Sequence, residues 1–164
     1  MARTSSTESA VTLSVLDRLI DQDPRNSKEV PLTRAQSLRV FKESLRRNLE
    51  WLLNTRRIAV PPDEGLKEVN RSVFLFGLPD FSGYKLSSPQ DQTKLLRYIQ
   101  TATKLFEPRL ANVRVVPLEA GLISARTMRL RIEGLMLVDP APEHVSFDTV
   151  LELTSGQYEV QNAG

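Results

Sequence analysis

The chain has 164 residues, of which 40% are hydrophobic and 26% are charged, with no cysteine and one histidine. This length suits one domain with its own core, and the lack of cysteine excludes disulfides and thiolate metal sites. No apolar run approaches the roughly 18 residues of a membrane-spanning helix. The amino terminus lacks the apolar core of a secretory signal, so we expect a cytoplasmic protein.

The formal net charge of +2 is unevenly distributed along the chain. Residues 25–57 carry nine Lys or Arg against three Asp or Glu, whereas residues 132–164 carry six acids and no Lys or Arg. A basic stretch can bind nucleic acid, but a solvated helix face or an anionic protein partner explains it equally. Aromatic residues do not alternate with the basic ones, so nucleic-acid binding is an alternative and not the leading hypothesis.

A short helix is predicted near the amino terminus. Ser14, followed three residues later by Asp17, resembles a capping box, which satisfies the exposed N–H groups of a first helical turn. A helix this short is marginal in water, so we expect its apolar stripe to dock on the core or on another chain. The stripe comprises Val15, Leu16, Leu19 and Ile20. Residues 1–13 are predicted to be a disordered tail.

A second, longer helix is predicted after Pro31. Thr33 and Gln36 form another capping box, and five apolar residues then recur at spacings of three and four, the period of one helix face. We expect Asn54 to end this helix in the left-handed conformation. The apolar face comprises Leu38, Phe41, Leu45, Leu49 and Leu52.

Residues 58–88 are predicted to be irregular and to pack over the core through phenylalanines. Ser88 and Pro89 then open a third helix, since proline is harmless at a first helical position. We expect this helix to end near Phe106, because the residue before Pro108 is pushed from helical towards extended geometry. The three phenylalanines of the loop are Phe74, Phe76 and Phe81, and the buried face of the helix comprises Leu95, Ile99, Ala102 and Phe106.

Beyond this helix the apolar period becomes two, which is typical of strands with one buried face. Three strands are predicted around Val113, Ile132 and Phe147, and Thr154–Gln157 is predicted to turn the third into a short fourth strand. Gly134 interrupts the second pattern and is expected to mark a β-bulge. The sequence therefore predicts a single α+β domain over residues 14–161, with three to four helices packed on one face of a small, mainly antiparallel sheet of about four strands.

Glu107 is the obvious candidate for acid catalysis, since a pair of carboxylates is what a glycosidase needs. However, Arg109 lies on the same side of an extended backbone and favours the ionised carboxylate, which makes Glu107 a poor general acid. Two interpretations of Glu107, Pro108 and Arg109 remain open. The triplet either ties the helix end to neighbouring backbone by charge-assisted hydrogen bonds, or presents an acid and an arginine to another protein. No catalytic, cofactor-binding or metal-ligating residue is predicted, and His144 is interpreted as a solvated loop histidine.

Four stretches, in the order SVLDRLID, LRRNLEWLLNTRR, VNRSVFLFGLPDFSG and FEPRL, resemble the TssE family of bacterial type VI secretion systems. This family belongs to the phage-tail baseplate wedge proteins historically called lysozyme-like. The similarity runs from about Ser14 to about Val160, and its signature is the triplet Glu107, Pro108 and Arg109. Asn48 stands where the family pattern has an acidic residue.

The resemblance implies a non-enzymatic part of the baseplate wedge, docked at the inner face of the cytoplasmic membrane. Implied partners are the baseplate subunits TssF, TssG and TssK, with the triplet holding the wedge contacts, and the TssB–TssC contractile sheath, whose polymerisation would begin on this protein. An incoming sheath arm would extend the sheet by β-augmentation, because edge strands offer unpaired N–H and C=O groups. No cofactor, nucleic acid or membrane insertion is implied. The alternatives are a lysozyme-like peptidoglycan hydrolase and a nucleic-acid-binding domain.

Overall fold

The computed structural model describes residues 10–20, 25, 31–60, 62–118, 127–152 and 156–162. Helices come first and strands afterwards, so the fold is α+β, as predicted. The helices are α1 (Val15–Leu19), α2 (Arg34–Asn54) and α3 (Pro89–Phe106), and two 3-10 helices, Val69–Arg71 and Val73–Leu75, lie between α2 and α3. The strands are β1 (Leu110–Pro117), β2 (Thr127–Met136), β3 (Glu143–Glu152) and β4 (Gln157–Asn162). Within the described ranges, no helix is long and apolar enough to cross a membrane.

The chain forms two compact units, which divide at Leu45 and Arg46 within α2. In the first unit, the Ser14 side chain caps α1 by accepting from the Asp17 N–H at 3.1 Å, as predicted. Ser44 of α2 donates to the Asp17 carboxylate at 2.6 Å, which joins the two helices by a polar contact. The apolar stripe of α1 is not buried: Val15 is 69% and Leu19 is 75% exposed. Of the two alternatives predicted for this stripe, burial on the chain's own core is not seen in the described residues, and docking on another chain stays a prediction.

Helix α2 begins at the predicted capping box, in which the Thr33 N–H donates to Gln36 Oε1 at 2.9 Å and the Gln36 N–H donates to Thr33 Oγ1 at 3.3 Å. Four of the five predicted apolar positions are buried, and Leu38 is half-buried. The prediction for Asn54 is wrong. Asn54 remains helical, and Asn112 is the non-glycine residue with positive φ among those described. The Asn54 side chain is instead bonded to a strand, as shown below.

The segment between α2 and α3 is irregular, as predicted, but it is anchored at one point by its backbone. Arg57 N–H donates to the Leu78 carbonyl at 2.9 Å, and Leu78 N–H donates to the Thr55 carbonyl at 2.8 Å. Phe81 is buried and Phe76 packs edge-on against Phe106, with 5.2 Å between ring centroids. The third phenylalanine, Phe74, is 45% exposed, so its predicted core role is wrong.

The four strands form one antiparallel sheet in the order β1-β2-β3-β4. Alternate residues of β2, β3 and β4 are buried, which gives the sheet one core face and one face that is partly open. Helix α3 contacts β1 beside this core.

On the outer face, Arg131 and Asp148 form a two-pronged ion pair across β2 and β3, at 2.6 and 2.9 Å. The Arg131 guanidinium lowers the pKa of the Asp148 carboxyl. Of the predicted turn Thr154–Gln157, residues 154 and 155 lie outside the described residues.

A β-bulge interrupts β1 between Ala111 and Arg114. Asn112 takes the left-handed conformation there, with φ of 53°. Because the bulge adds one residue to β1, Leu110 and Val113 are both buried on the core face although they are three positions apart. Gly134 is the residue of β2 facing this irregularity, because a side chain there would meet the Ala111 carbonyl oxygen at 3.1 Å. Gly134 thus marks the bulge, as predicted, but the bulged strand is its neighbour.

We predict that Gly77→Ala lowers the free energy of unfolding by about 3 kcal/mol, because Gly77 has a positive φ and an added Cβ would lie 2.3 Å from the Thr55 carbonyl oxygen. The same substitution at Gly83 is the matched control, since nothing lies within 4 Å of a Cβ built there. Urea unfolding measures both. Equal stabilities of the two variants would contradict the assigned backbone at Gly77.

Candidate functional site

The corner between α3 and β1 is built from the triplet that the sequence singled out. Ser88 caps α3, Pro89 occupies its first turn, and the helix ends at Phe106, as predicted. Glu107 has φ of −124° and ψ of 75°, outside the helical range, because the ring of Pro108 disfavours helical backbone before it. Its N–H still donates to the Thr103 carbonyl at 2.9 Å, so Glu107 caps the helix while the chain turns away.

Arg109 binds the Glu107 carboxylate with both prongs of its guanidinium. Nε lies 2.7 Å from Oε1 and Nη2 lies 2.7 Å from Oε2, the parallel geometry of a strong Arg–carboxylate pair. The Glu107 side chain is 5% exposed and the Arg109 side chain is 22% exposed. The carboxylate is therefore buried and compensated, whereas one side of the arginine reaches the surface.

Backbone bonds hold the same corner against the sheet. Leu110 N–H donates to the Glu107 carbonyl at 3.1 Å, which closes the turn around Pro108. Leu137 N–H, just after β2, donates to the Arg109 carbonyl at 2.9 Å. The corner is thus fixed to α3, β1 and the end of β2. The charged side chains bond each other and the ties to α3 and β2 are made by backbone groups, so the first interpretation, charge-assisted bonds from the side chains to neighbouring backbone, stays a prediction.

The outer side of the corner offers an apolar surface around one cation. Pro108 is exposed, and Leu105, near the end of α3, and Leu137, just after β2, are 39% and 48% exposed. The Glu107 side chain is 5% exposed and faces Arg109, so it offers almost no surface to another protein. Any contact through the triplet therefore falls on Pro108 and the accessible side of Arg109.

The β4 edge of the sheet is covered by side chains of α2. The Asn54 amide donates to the Tyr158 carbonyl at 2.8 Å, and its oxygen accepts from the Tyr158 N–H at 2.8 Å. Arg46 donates to the Val160 carbonyl at 3.0 Å. These three bonds occupy outward-facing backbone groups of β4 that an added strand would need. Burial raises the pKa of the Tyr158 hydroxyl on the core face of the same strand.

Among the described residues, one side chain bonds the outward backbone of β1, near the middle of the strand. Gln100 of α3 donates to the Val113 carbonyl at 2.8 Å. Leu118 N–H donates to the Arg129 carbonyl of the neighbouring strand β2. Because hydrogen bonding in an antiparallel pair alternates along each strand, the backbone groups of Val115 and Pro117 face outward, away from β2. Within the described chain, no hydrogen bond is formed by the outward groups of Val115.

The geometry gives no support to catalysis by Glu107, because Arg109 holds both carboxylate oxygens. The described ranges contain no group of three or more His, Asp or Glu side chains that could hold a metal ion. His144 is exposed, but it lies in β3 and not in a loop, which corrects the prediction.

Sequence reasoning missed the residues that cover the sheet edges: Asn54, Arg46 and Gln100. Asn54 and Tyr158 are 104 positions apart, and their contact depends on how the strands are ordered. The local pattern around Asn54 suggested a helix cap, which is the common use of asparagine at that position. No local signal links these side chains to a strand edge.

The described residues define a small α+β domain with a charged corner and with unbonded outward backbone groups at Val115 on one sheet edge. The family model described as baseplate wedge protein gp25 matches residues 39–141. The chain therefore belongs to the gp25 baseplate wedge family, which is the family of TssE. The match includes most of α2, the corner, β1 and β2. The comparison with curated proteins and the comparison with solved structures each returned no match.

Membership of this family gives the chain a structural role in a phage-tail-like baseplate, among protein partners of that assembly. The matched region contains Glu107, Pro108 and Arg109, so the corner lies within the part of the chain that the family shares.

We predict that Arg109→Ala lowers the free energy of unfolding by about 3 kcal/mol, because it leaves the buried Glu107 carboxylate without its partner. Combining it with Glu107→Gln should recover part of this loss. Urea unfolding of the single and double variants measures the coupling between the two residues.

The matched control is Arg131→Ala, which breaks the similarly two-pronged but about one-third exposed pair with Asp148 and should cost less than about 1 kcal/mol. If Arg109→Ala costs no more than Arg131→Ala, the Glu107–Arg109 pair does not have the structural weight assigned to it.

Proposed function

We propose that this protein is the TssE component of a type VI secretion system baseplate, a non-enzymatic wedge part formed by a domain spanning residues 14–161. The observation that carries the proposal is the family match over residues 39–141, which includes the corner. In this proposal the protein is cytoplasmic, acts in a baseplate docked at the inner membrane, and has the helices of its second unit packed on the core face of the sheet.

The corner is proposed to contact TssF and TssG, with TssK in the same baseplate. Support comes from its construction: Pro108 is exposed, Arg109 is partly accessible, and three backbone bonds and a two-pronged ion pair keep both in place. A rigid surface loses little conformational entropy on binding, which favours affinity. Glu107 would act by holding Arg109 and not by direct contact.

The sheet is proposed to be the platform on which TssB–TssC sheath polymerisation begins. Support comes from the Val115 edge, where N–H and C=O groups can pair with an incoming strand. The two proposed functions use separate parts of the molecule. The corner lies before β1, whereas the open groups lie in its second half.

We predict that Arg109→Ala reduces the amount of TssF–TssG that co-purifies with the protein by about tenfold or more, as expected for a central interface arginine. Co-expression with TssF and TssG, capture on the tagged protein and quantification of the bound subunits measure this. Urea unfolding confirms first that each variant used is folded.

Arg131→Ala is the matched control, since it removes an arginine from a similar pair on the outer face of the sheet and should leave the captured amount unchanged. Undiminished capture by folded Arg109→Ala would overturn the assignment of the corner. Failure of the unaltered protein to capture TssF–TssG would overturn the proposed function itself.

A further inference from the structure

We propose that helix α1 is a docking surface, whose apolar stripe inserts into an apolar groove with an acidic rim on a protein partner. The stripe comprises Val15, Leu16, Leu19 and Ile20. The inference goes beyond the proposed function, which assigns contacts to the corner and to the sheet, and it rests on that function only for the choice of probe. The contacts that carry it lie within the first compact unit.

Helix α1 is held with its polar side inward and its apolar side outward. Asp17 is half-buried, and its carboxylate accepts from Ser44 of α2 at 2.6 Å. Just before the helix, the Val11 N–H donates to Ser37 of α2 at 2.9 Å. These two bonds fix which side of α1 faces α2. The stripe is left between 44% and 75% exposed, the reverse of the usual arrangement, in which an amphipathic helix turns its apolar side to the core.

The exposed apolar surface continues from α1 onto α2. Val40 lies three residues after Ser37 and four before Ser44, so it is on the side of α2 that holds α1. The Val40 side chain is 37% exposed. Single exposed apolar residues are ordinary, whereas a contiguous patch on a structured element marks a contact site for a protein or a membrane.

The patch is too small to hold two copies of this chain together by itself. A two-fold pair would bring the same five apolar side chains of each copy against one another. A stable interface takes about 20 to 30 residues from each partner. A groove covers both flanks of a helix as well as its apolar stripe, and so buries the same residues more completely. The size of the patch therefore favours a partner that supplies a groove.

The charges on α1 favour an acidic rim and disfavour a lipid surface. Asp17 faces α2, so the exposed charged side chain of the helix is Arg18, which forms no ion pair with any residue that the structure describes. A carboxylate at the rim of the groove would pair with it. Helices that lie on membranes carry several Lys or Arg on their polar face, whereas here a single cation is exposed.

The first test measures the Kd of Leu19→Gln for the purified TssF–TssG–TssK complex by calorimetry. Glutamine has a helix propensity close to that of leucine but is polar. Because Leu19 is the most exposed residue of the stripe, we expect Kd to rise about tenfold or more. The matched control is Leu66→Gln, which changes a leucine that is 52% exposed and lies outside the first unit, and it should leave Kd unchanged.

Urea unfolding separates docking from folding. Since the Leu19 side chain is exposed, Leu19→Gln should leave the urea midpoint of the protein unchanged. A lowered midpoint would show that the chain itself covers the stripe, and would overturn the proposal. Equal Kd values for Leu19→Gln and the unaltered protein would overturn it as well.

The second test concerns the acidic rim. Arg18→Glu places a like charge against the carboxylate of the groove, so Kd for the same complex should rise about tenfold or more. Arg18→Lys keeps the charge and should restore most of the binding. If Arg18→Glu binds as tightly as the unaltered protein, the groove does not have the acidic rim assigned to it.

Two other occupants of the stripe would give different results. Flotation with vesicles of phosphatidylcholine and phosphatidylserine tests a lipid surface, and sedimentation velocity tests a second copy. We expect neither vesicle binding nor self-association that Leu19→Gln abolishes. Either result would assign the stripe to that occupant and overturn the proposal.

Failure of the docking surface can be told from failure of the proposed function. If the unaltered protein binds TssF–TssG–TssK and Leu19→Gln binds equally, the docking surface is wrong and the baseplate role stands. If the unaltered protein does not bind the complex, the baseplate role is wrong and the docking surface falls with it.

Discussion

The ion pair between Glu107 and Arg109 fixes how the chain passes from helix to sheet. Proline prevents the helix from continuing, but it does not by itself determine where the next strand begins. The two-pronged contact holds residues 107 and 109 on one side of the turn, and the Arg109 carbonyl is then in position to accept from Leu137. The register of β1 against β2 starts from this bond, and β3 and β4 follow in order across the sheet.

The two edges of the sheet differ because different helices border them. A side-chain amide and a guanidinium from α2 occupy the backbone groups of β4, whereas α3 contributes a single glutamine to β1. An open sheet edge is a hazard for a protein alone, since it can pair with any exposed strand. For a component of a larger assembly, one short open edge combined with one closed edge limits pairing to a defined place and direction. The chain belongs to the family of baseplate wedge proteins, so it is a component of such an assembly.

The elements of the fold could be read from the sequence because they depend on local rules. The capping boxes at Ser14 and Thr33 and the proline after Glu107 set the helix limits, and the period of two around Ile132 and Phe147 set the strands. The proximity of Glu107 and Arg109 followed from their spacing in extended backbone. In each case the interacting groups are within a few residues of one another.

What could not be read depends on contacts between distant parts of the chain. Asn54 was expected to cap its own helix, because nothing nearby indicates that Tyr158 would lie beside it. Phe74 was expected to be buried on composition alone, yet the short 3-10 helix that carries it turns the ring outward. The identity of the open edge likewise required the strand order, which periodicity does not contain.

The bulge at Asn112 has a consequence for how this part of the molecule tolerates change in length. Before the bulge the core-facing residue is Leu110, and after it Val113 takes that side, so the strand changes parity at one residue. Loss of Asn112 itself would remove the bulge and leave Val113 on the core face and Arg114 on the outer face, whereas a residue inserted after Val113 would exchange the faces of the residues beyond it. One residue can therefore be lost at the bulge without exchanging the two faces of β1, but a residue cannot be added between the bulge and Val115.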